Sequence, residues 1–449
     1  MGEDVLIIGG GLAGLAAGVA LAEAGRRVRL LEQKPYLGGR ARSFRDAATG
    51  SVVDNGQHLF MGCYHSTLQF LHAIGTSQTV TFEPQLRVNF LDPNQKVTEL
   101  RCPFLPAPWH LLAGIFLSNS FSIREKIDMI RMGRALRSAD DAADTLRKTG
   151  RLTVEEWLSS LGQSEGLRRN FWDLFCIAAM NEDPRIASAL IFERVLRLAL
   201  FNSPADSRLG IPRKGLSECY TDAAAKAITH RGGLVELRRD VRALLLSDGA
   251  CRGVRLADGT VIAGQTVLSA VPWHVLPVLL PADAVESEPA FSRLLKLRPA
   301  PIISLYLWFD RPVTDLEFVG LRGTTIQWLF NKGKILGTGE HYVSLVLSGA
   351  HDHVARSKDE LRDMALKELG TLLPGMRDAG LRHSLVIKER FATFSPCVGV
   401  DALRPSAVTP VRGLYLAGDW TATGLPATIE GAVRSGYSAA KAILRQNSG

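Results

Sequence analysis

The 449-residue sequence lacks the features that mark several large protein classes. Its six cysteines form no C-x-x-C pair and no regular spacing, a pattern typical of reduced thiols in a cytosolic chain. The tight histidine pair His351 and His353 stands alone and is more typical of a solvated loop than of a metal site. No nucleic-acid-binding module is recognisable, and the formal net charge of +8 is spread along the chain. We therefore expect neither a bound metal nor a nucleic-acid partner.

The chain also lacks an apolar run long enough to cross a bilayer. Residues 103–117 are apolar, but three prolines interrupt them, and a spanning helix needs about 20 residues. Residues 121–137 follow, with three isoleucines on one helical face and basic side chains elsewhere. Such a segment suits the surface of an anionic membrane, and a core helix with a solvated face fits its period equally well. We predict a membrane-contact segment at residues 103–137.

A glycine-rich turn near the N-terminus has the pattern of a dinucleotide-binding strand, turn and helix. Residues 5–8 form a continuous apolar run that predicts a buried parallel strand, and residues 12–24 are helix-forming. Between them the glycines fit G-x-G-x-x-G, which permits a tight turn and the close approach of a pyrophosphate to the helix N-terminus. A second predicted strand, residues 28–31, ends at an acidic residue suited to binding ribose hydroxyls. The cofactor-binding residues predicted from this motif are Gly9, Gly11, Leu12, Ala13, Gly14 and Glu32.

Further glycine-rich segments indicate a cofactor larger than NAD. Gly38, Gly39 and Arg40 suit a second loop against a pyrophosphate, which a simple NAD dehydrogenase does not need. At the other end of the chain an apolar strand runs into Gly418 and Asp419, and the following helix directs its N-terminal amides to the same place. Two such turns at opposite ends of the chain point to FAD, and no cysteine is placed to attach it covalently. The further cofactor-binding residues predicted are Gly38, Gly39, Arg40, Val241, Gly418, Asp419, Ala427, Thr428 and Ile429.

The predicted nucleotide-binding elements come in three separated stretches of the chain. We predict an α/β fold in which a discontinuous, Rossmann-like FAD-binding domain consists of residues 1–64, 206–273 and 401–449. Residues 65–205, mostly helical in pattern, and residues 274–400, with strands and a helix, are inserted between these stretches. The two insertions together predict an α+β substrate-binding domain.

Four longer motifs carry a resemblance to a known family. They are D-N-G-Q-H-L-F-M-G-C-Y at residues 54–64, A-A-M-N-E-D-P at 178–184, Q-W-L-F-N at 327–331 and G-D-W-T-A-T-G-L-P-A-T-I-E-G at 418–431. Together with the N-terminal turn, they resemble the flavin amine oxidase and phytoene desaturase superfamily. Within it, the narrower resemblance is to the squalene-associated FAD-dependent desaturases, which are hydroxysqualene dehydroxylases.

This resemblance implies a reductive reaction on a long isoprenoid. Reduced FAD would supply hydride from N5 to hydroxysqualene, the hydroxyl would leave as water, and squalene would serve hopanoid or sterol synthesis. It also implies an electron donor that the sequence does not identify, and a cytoplasmic protein held peripherally at the inner face of the membrane. A hydrogen-bond donor would assist the departing hydroxyl, and the candidates on the matching motifs are His58, Tyr64 and Asn181. The aromatic candidates for the walls of an apolar pocket are Phe171, Trp172, Phe175, Trp328 and Phe330.

Two other functions fit much of the same pattern. Oxidative desaturation of a polyene such as phytoene would equally use FAD, an apolar tunnel and a membrane surface. A flavin-binding carrier without turnover fits the nucleotide motifs but has no need of an apolar insertion beside a redox-active ring. Amine oxidation is disfavoured, because the predicted strand at residues 301–310 contains no lysine, whereas amine-oxidising relatives hold one near flavin N5. We therefore expect reductive dehydroxylation, with polyene desaturation as the alternative.

Overall fold

The computed structural model describes residues 5–138 and 149–446. Residues 1–4, 139–148 and 447–449, which fall within the predicted domain ranges, lie outside the described residues. The strands, in chain order, are β1 Val5–Ile8, β2 Val28–Glu32, β3 Ser43–Arg45, β4 Val52–Asp54, β5 Phe60–Met61, β6 Val80–Phe82, β7 Arg87–Leu91, β8 Val97–Arg101, β9 Leu209–Pro212, β10 Leu234–Leu237, β11 Val241–Ser247, β12 Ala250–Leu256, β13 Val261–Ala263, β14 Thr266–Ser269, β15 Pro299–Phe309, β16 Phe318–Leu321, β17 Trp328–Asn331, β18 Tyr342–Ser348, β19 Leu381–Phe394 and β20 Leu414–Leu416.

The α-helices of the described ranges are α1 Leu12–Glu23, α2 His65–Ala73, α3 Trp109–Leu117, α4 Ile123–Ser138, α5 Val154–Ser160, α6 Glu165–Leu167, α7 Asp173–Met180, α8 Ala189–Leu200, α9 Leu216–Thr229, α10 Leu276–Leu279, α11 Ala282–Ser287, α12 Pro289–Ser292, α13 Lys332–Leu336, α14 Lys358–Leu372 and α15 Ile429–Gln446. A π-helical turn, Arg168–Trp172, joins α6 to α7. Short 3-10 turns lie at Ser77–Thr79, Arg293–Lys296, Pro374–Met376 and Val400–Leu403.

A five-stranded parallel sheet gathers strands from distant parts of the chain. Its order is β10-β2-β1-β14-β20, and every neighbouring pair is parallel. β1 is buried along its whole length, as its apolar run predicts. Val5 and Ile7 pack with α1, α9 and α15, whereas Leu6 and Ile8 pack toward the antiparallel meander β11-β12-β13. This layering of helices, sheet and meander confirms the predicted α/β class with a Rossmann-like sheet.

Helices α1 and α15 bring the two ends of the chain to the same edge of this sheet. A Cβ atom on Gly436 would lie 2.3 Å from the carbonyl oxygen of Ala13, so the helices can touch only because this position is glycine. α1 follows the carboxyl end of β1, and α15 follows that of β20. Open α/β sheets bind their ligands at the carboxyl ends of the strands. Both glycine-rich turns therefore lie at the edge where a dinucleotide is expected.

A second sheet, of seven strands, is formed by the inserted parts of the chain. Its order is β19-β15-β18-β17-β16-β7-β8, antiparallel except for the parallel pair of β16 and β7. Successive side chains of β15 alternate between two faces. Ile303 and Leu305 pack in the core that includes α14, and Ser304 and Tyr306 lie on the opposite face. We name that opposite face the inner face, because it is turned toward residues 54–58.

Residues 65–205, predicted as mostly helical, also contain the strands β6, β7 and β8. β7 and β8 form a hairpin at the edge of the seven-stranded sheet, and Gln95 in its turn has a φ of 64°. The region is still mostly helical as predicted, and the hairpin was not predicted because each of its alternating patterns is only five residues long. The D-P-N-Q sequence at residues 92–95 is a turn signal that marks the hairpin.

The predicted membrane-contact segment contains α3 and α4. α4 buries Met129, Met132 and Leu136 in the core, whereas Ile123 at its start is 80% exposed. The helix therefore has one core face and one exposed apolar edge. Within the ranges that the structure describes, no helix is both long and apolar enough to cross a bilayer.

Candidate cofactor-binding and active site

The turn between β1 and α1 has the geometry that a bound pyrophosphate requires. Gly9 has a φ of 104°, and a Cβ atom on Gly14 would lie 2.0 Å from the Gly9 carbonyl oxygen. Both positions therefore require glycine. Gly11 is the N-cap of α1 and makes no side-chain capping bond, and Leu12 and Ala13 form the first turn of the helix. The amides at this helix end are free to bind phosphate oxygens.

Glu32 lies at the end of β2, directly beside this turn. Its Oε2 accepts a hydrogen bond from the backbone amide of Gly10 (2.7 Å), and its Oε1 accepts one from that of Lys34 (2.8 Å). A carboxylate offers about four lone-pair sites, so acceptors remain for ribose hydroxyls. The amide of Arg239 donates to the Glu32 carbonyl oxygen (2.8 Å), which brings the nearby Val241 of β11 to the same end of the site.

The second glycine loop faces the first across a narrow gap. A Cβ atom on Gly39 would lie 3.3 Å from Gly11 Cα, and Gly38 and Gly39 have φ values of 104° and 57°. Arg40 then reaches across the site, and its Nη2 donates to both carboxylate oxygens of Asp419 at 2.8 Å. The sequence predicted separate cofactor contacts for Arg40 and Asp419. In the structure they form one ion pair that ties the two ends of the chain together.

Buried polar side chains fix the C-terminal glycine turn. Gly418 has a φ of 152°, and its amide donates to Ser435 Oγ (2.8 Å). Arg404, whose side chain is fully buried, donates from Nη2 to the Asp419 carbonyl oxygen (3.0 Å). Arg404 was not predicted from the sequence, because an isolated arginine outside any motif carries no local signal.

Helix α15 begins next to this turn. Ala427 and Thr428 precede it, and Ile429 is its first residue. Thr428 Oγ1 accepts a hydrogen bond from the amide of Gly431 (3.0 Å) and so caps the helix. This cap uses one of the N-terminal amides that were predicted to face the cofactor. The positive end of the helix dipole still points toward the turn.

A buried ion pair holds residues 54–58. Lys332 Nζ donates to Asp54 Oδ2 (2.8 Å) and to Gln57 Oε1 (2.9 Å). The side chains of Lys332 and Asp54 are both 0% exposed. Asp54 Oδ1 also accepts a hydrogen bond from Ser43 Oγ (2.7 Å). Lys332 was not predicted from the sequence because it lies 278 residues from Asp54, and no spacing rule reaches that far.

His58 faces the inner face of the seven-stranded sheet. A Cβ atom on Gly56 would lie 3.8 Å from His58 Nε2 and 4.0 Å from Ser304 Oγ, so both atoms border the same small space. Burial lowers the pKa of His58, and Arg40 adds to this effect while Asp54 opposes it. The imidazole is therefore neutral at pH 7, and it can offer one N–H donor and one nitrogen acceptor.

Tyr64 and Asn181 have different surroundings. Tyr64 is the N-cap of α2 and packs with the core on the helix side of the parallel sheet, and burial raises its pKa. Asn181 donates from Nδ2 to the Ala300 carbonyl oxygen (3.1 Å) and to Thr393 Oγ1 (2.8 Å). Its Oδ1 accepts a hydrogen bond from the Gly349 amide (2.7 Å). Both N–H groups of Asn181 are thus used within the protein, which disfavours it as a donor, and its role toward substrate stays a prediction.

The predicted pocket aromatics fall into two groups. Phe171 and Phe175 stack with ring centroids 6.4 Å apart, and these two and Trp328 are partly buried at the edge of one core. Trp172 is buried, and its indole nitrogen donates to a glutamine side chain at 2.9 Å. Phe330 is also buried and stacks on a phenylalanine of β16. Trp172 and Phe330 are more deeply buried than the other three, and their role as pocket walls stays a prediction.

Known proteins share this arrangement along the whole chain. The profile of the family described as flavin containing amine oxidoreductase matches residues 12–444. The chain is 30% identical over 466 residues to hydroxysqualene dehydroxylase of Rhodopseudomonas palustris, covering 99% of both chains. It is 28% identical over 480 residues to the chloroplastic/chromoplastic 15-cis-phytoene desaturase of an Oncidium hybrid cultivar, covering 98% of this chain and 78% of that protein. A solved oxidoreductase structure from Methanosarcina mazei shares the fold, with a TM-score of 0.76 at 18% identity over 98% of this chain and 100% of that one.

Proposed function

The chain belongs to the family of flavin-containing amine oxidoreductases. We propose that it catalyses the reductive dehydroxylation of hydroxysqualene to squalene in hopanoid or other triterpenoid biosynthesis. The protein is an FAD-dependent oxidoreductase. The likeness to a hydroxysqualene dehydroxylase over 99% of both chains carries the proposal.

The residues of the site fit both the cofactor and an apolar substrate. The facing loops at Gly11 and Gly39, with Glu32 and the pair of Arg40 and Asp419, would hold FAD. Reduced FAD supplies the hydride of the reaction when it is bound. We propose that residues 65–205 and 274–400 bind the substrate, and that residues 1–64, 206–273 and 401–449 bind FAD.

The chain's own contribution to the reaction would be an enclosed, mostly apolar site. Phe171, Phe175 and Trp328 present partly buried aromatic surface to a hydrocarbon chain and exclude water from it. His58 lies beside residues of the inner face and, as a neutral imidazole, can hydrogen-bond a hydroxyl without burying a charge. Tyr64 stays a second candidate donor.

Oxidative desaturation of a polyene is the second candidate function. The likeness to a phytoene desaturase supports it, at 28% identity against 30% for the dehydroxylase. Co-expression in a host that makes either hydroxysqualene or phytoene tests the two, with products identified by gas chromatography and mass spectrometry. Squalene formed from hydroxysqualene supports the proposal. Additional double bonds in phytoene, with hydroxysqualene unchanged, contradict it.

We also propose that the protein binds the surface of an anionic membrane to collect its substrate. Seven exposed apolar side chains in the predicted contact segment form what we name the membrane patch: Phe104, Leu105, Trp109, Phe116, Leu117, Ile123 and Ile127. The basic residues Arg124, Arg131, Arg134 and Arg137 are exposed on the same segment. Apolar side chains beside basic ones suit the boundary between acyl chains and anionic headgroups. The partner would be the inner face of the membrane.

Charging the membrane patch is expected to weaken lipid binding. Leu117 is 72% exposed and Ile123 is 80% exposed, so aspartate at both positions can be tolerated in the fold. Each apolar side chain contributes about 1.5–3 kcal/mol when fully buried, so the L117D/I123D variant should bind vesicles at least about tenfold less tightly. Sedimentation with phosphatidylglycerol vesicles measures this.

A matched control uses apolar residues outside the membrane patch. Val278 is 76% exposed and Leu295 is 68% exposed, so the V278D/L295D variant adds the same charge elsewhere on the surface. It should sediment with vesicles as the unmodified protein does. Equal loss of binding in both variants would show that net charge, and not the membrane patch, governs the interaction.

A further inference from the structure

The inner face carries a buried serine whose hydroxyl has no partner. Ser304 is 1% exposed, and within the described ranges its Oγ makes no hydrogen bond. A buried hydroxyl without a hydrogen bond lowers the stability of the folded protein. Such groups are rare, and some of them have a functional role. The neighbouring residues of the same cross-strand row, Val346 and Trp328, are largely apolar. Ser304 is therefore one of few polar groups in a mostly apolar wall, together with the indole nitrogen of Trp328 and the hydroxyl of Ser344, which are also buried without a partner in the described part of the chain.

The space in front of this hydroxyl is shared with His58. A Cβ atom on Gly56 would lie 4.0 Å from Ser304 Oγ and 3.8 Å from His58 Nε2, which are ordinary contact distances. The absence of a side chain on Gly56 thus leaves room for about one small atom between two polar groups. Gly56 does not adopt a positive φ, so the backbone itself does not require glycine here. The glycine keeps this space open.

We propose that Ser304 Oγ and His58 together bind the hydroxyl of the substrate in the space over Gly56. A hydroxyl both donates and accepts, and a serine and a neutral imidazole can satisfy it without a buried charge. Sites that pair a substrate hydroxyl discriminate strongly against analogues that lack it, because their own polar groups then remain unpaired. Ser304 would therefore make the site specific for a hydroxylated chain over the corresponding hydrocarbon. This inference rests on the proposed function.

Binding to the oxidised holoenzyme tests Ser304 without turnover. Immobilised holoenzyme in detergent is incubated with hydroxysqualene or squalene, and the retained lipid is quantified by gas chromatography. Replacing Ser304 with alanine should lower the affinity for hydroxysqualene about tenfold and leave that for squalene unchanged, since one hydrogen bond is lost. Threonine at this position keeps a hydroxyl and should retain most of the preference. Ser344→Ala is the control. Ser344 is equally buried on the inner face, but it pairs with Tyr306, two residues along β15 from Ser304.

A second variant fills the space and leaves Ser304 in place. Gly56→Ala would put a methyl group within contact distance of both polar atoms. It should reduce hydroxysqualene retention as Ser304→Ala does, and the FAD content of the purified protein confirms that the site is otherwise intact. An unchanged ratio of hydroxysqualene to squalene binding in S304A, with FAD bound, would overturn the inference. Wild-type protein that neither prefers hydroxysqualene nor forms squalene would instead overturn the proposed function.

Discussion

Replacing Lys332 with methionine is expected to lower the free energy of unfolding by about 3–5 kcal/mol. Lys332 and Asp54 are both 0% exposed, and the lysine ammonium is 2.8 Å from Asp54 Oδ2. Removing the lysine leaves the Asp54 carboxylate buried without a counter-charge, which costs more than the pair itself contributes. Chemical unfolding followed by circular dichroism measures the loss. The exposed Lys334, two residues along the chain, is the control, and Lys334→Met should change stability by less than about 1 kcal/mol.

The D54N/K332M double variant separates the buried charge from the lost contact. Asparagine can still accept the hydrogen bond from Ser43 Oγ, and the double variant leaves no unpaired charge in this buried position. Because a buried pair replaced by neutral groups is often close to neutral in stability, most of the loss should be recovered. A double variant as unstable as Lys332→Met alone would mean that the aliphatic packing of the lysine, and not its charge, stabilises this segment.

Gly11→Ala is expected to weaken FAD binding by about 1–3 kcal/mol, or roughly 5- to 150-fold in Kd, while the apoprotein stays folded. In the structure a Cβ atom on Gly11 meets only Gly39 Cα, at 4.0 Å, and Gly11 has a φ of −77° that any residue adopts. The methyl group would thus disturb nothing in the protein, but it would enter the gap where the pyrophosphate is expected to pass. Titration of the apoprotein with FAD, together with thermal unfolding of the apoprotein, measures both quantities.

Substitutions at two other glycines serve as controls for this prediction. Gly14→Ala places a Cβ 2.0 Å from the Gly9 carbonyl oxygen, so it should damage the fold as well as FAD binding. Gly133 in α4 has nothing within 4 Å of its Cβ position, so Gly133→Ala should affect neither. Tight FAD binding by Gly11→Ala would show that the cofactor does not pass between the two glycine loops.

The fold class and the cofactor could be predicted because their signals are local. The turn after β1 places its glycines, its strand and its helix within one short segment, and the ribose-binding acid follows at a fixed distance. The α/β class was predicted correctly from such elements, FAD from this turn together with the C-terminal one, and the family from four short motifs along the chain. The hairpin of β7 and β8 was missed because two strands of five residues give a weak periodic signal.

The connections within the site could not be predicted, because they join distant parts of the chain. Arg40 and Asp419 are 379 residues apart, and Lys332 and Asp54 are 278 residues apart. A sequence motif shows which residue types are present. It does not show whether two charged side chains each contact a ligand or pair with each other. For the same reason the sequence could not show that both N–H groups of Asn181, which lies within a family-like motif, have partners within the protein.

A single anaerobic turnover tests the central claim most directly. Holoenzyme reduced with dithionite, freed of excess reductant and mixed with hydroxysqualene in detergent, should show reoxidation of the flavin with formation of one equivalent of squalene. Reduced enzyme mixed with squalene should remain reduced. If the reduced enzyme stays reduced with hydroxysqualene, while the oxidised enzyme becomes reduced on meeting phytoene, the protein is a polyene desaturase and reductive dehydroxylation is contradicted.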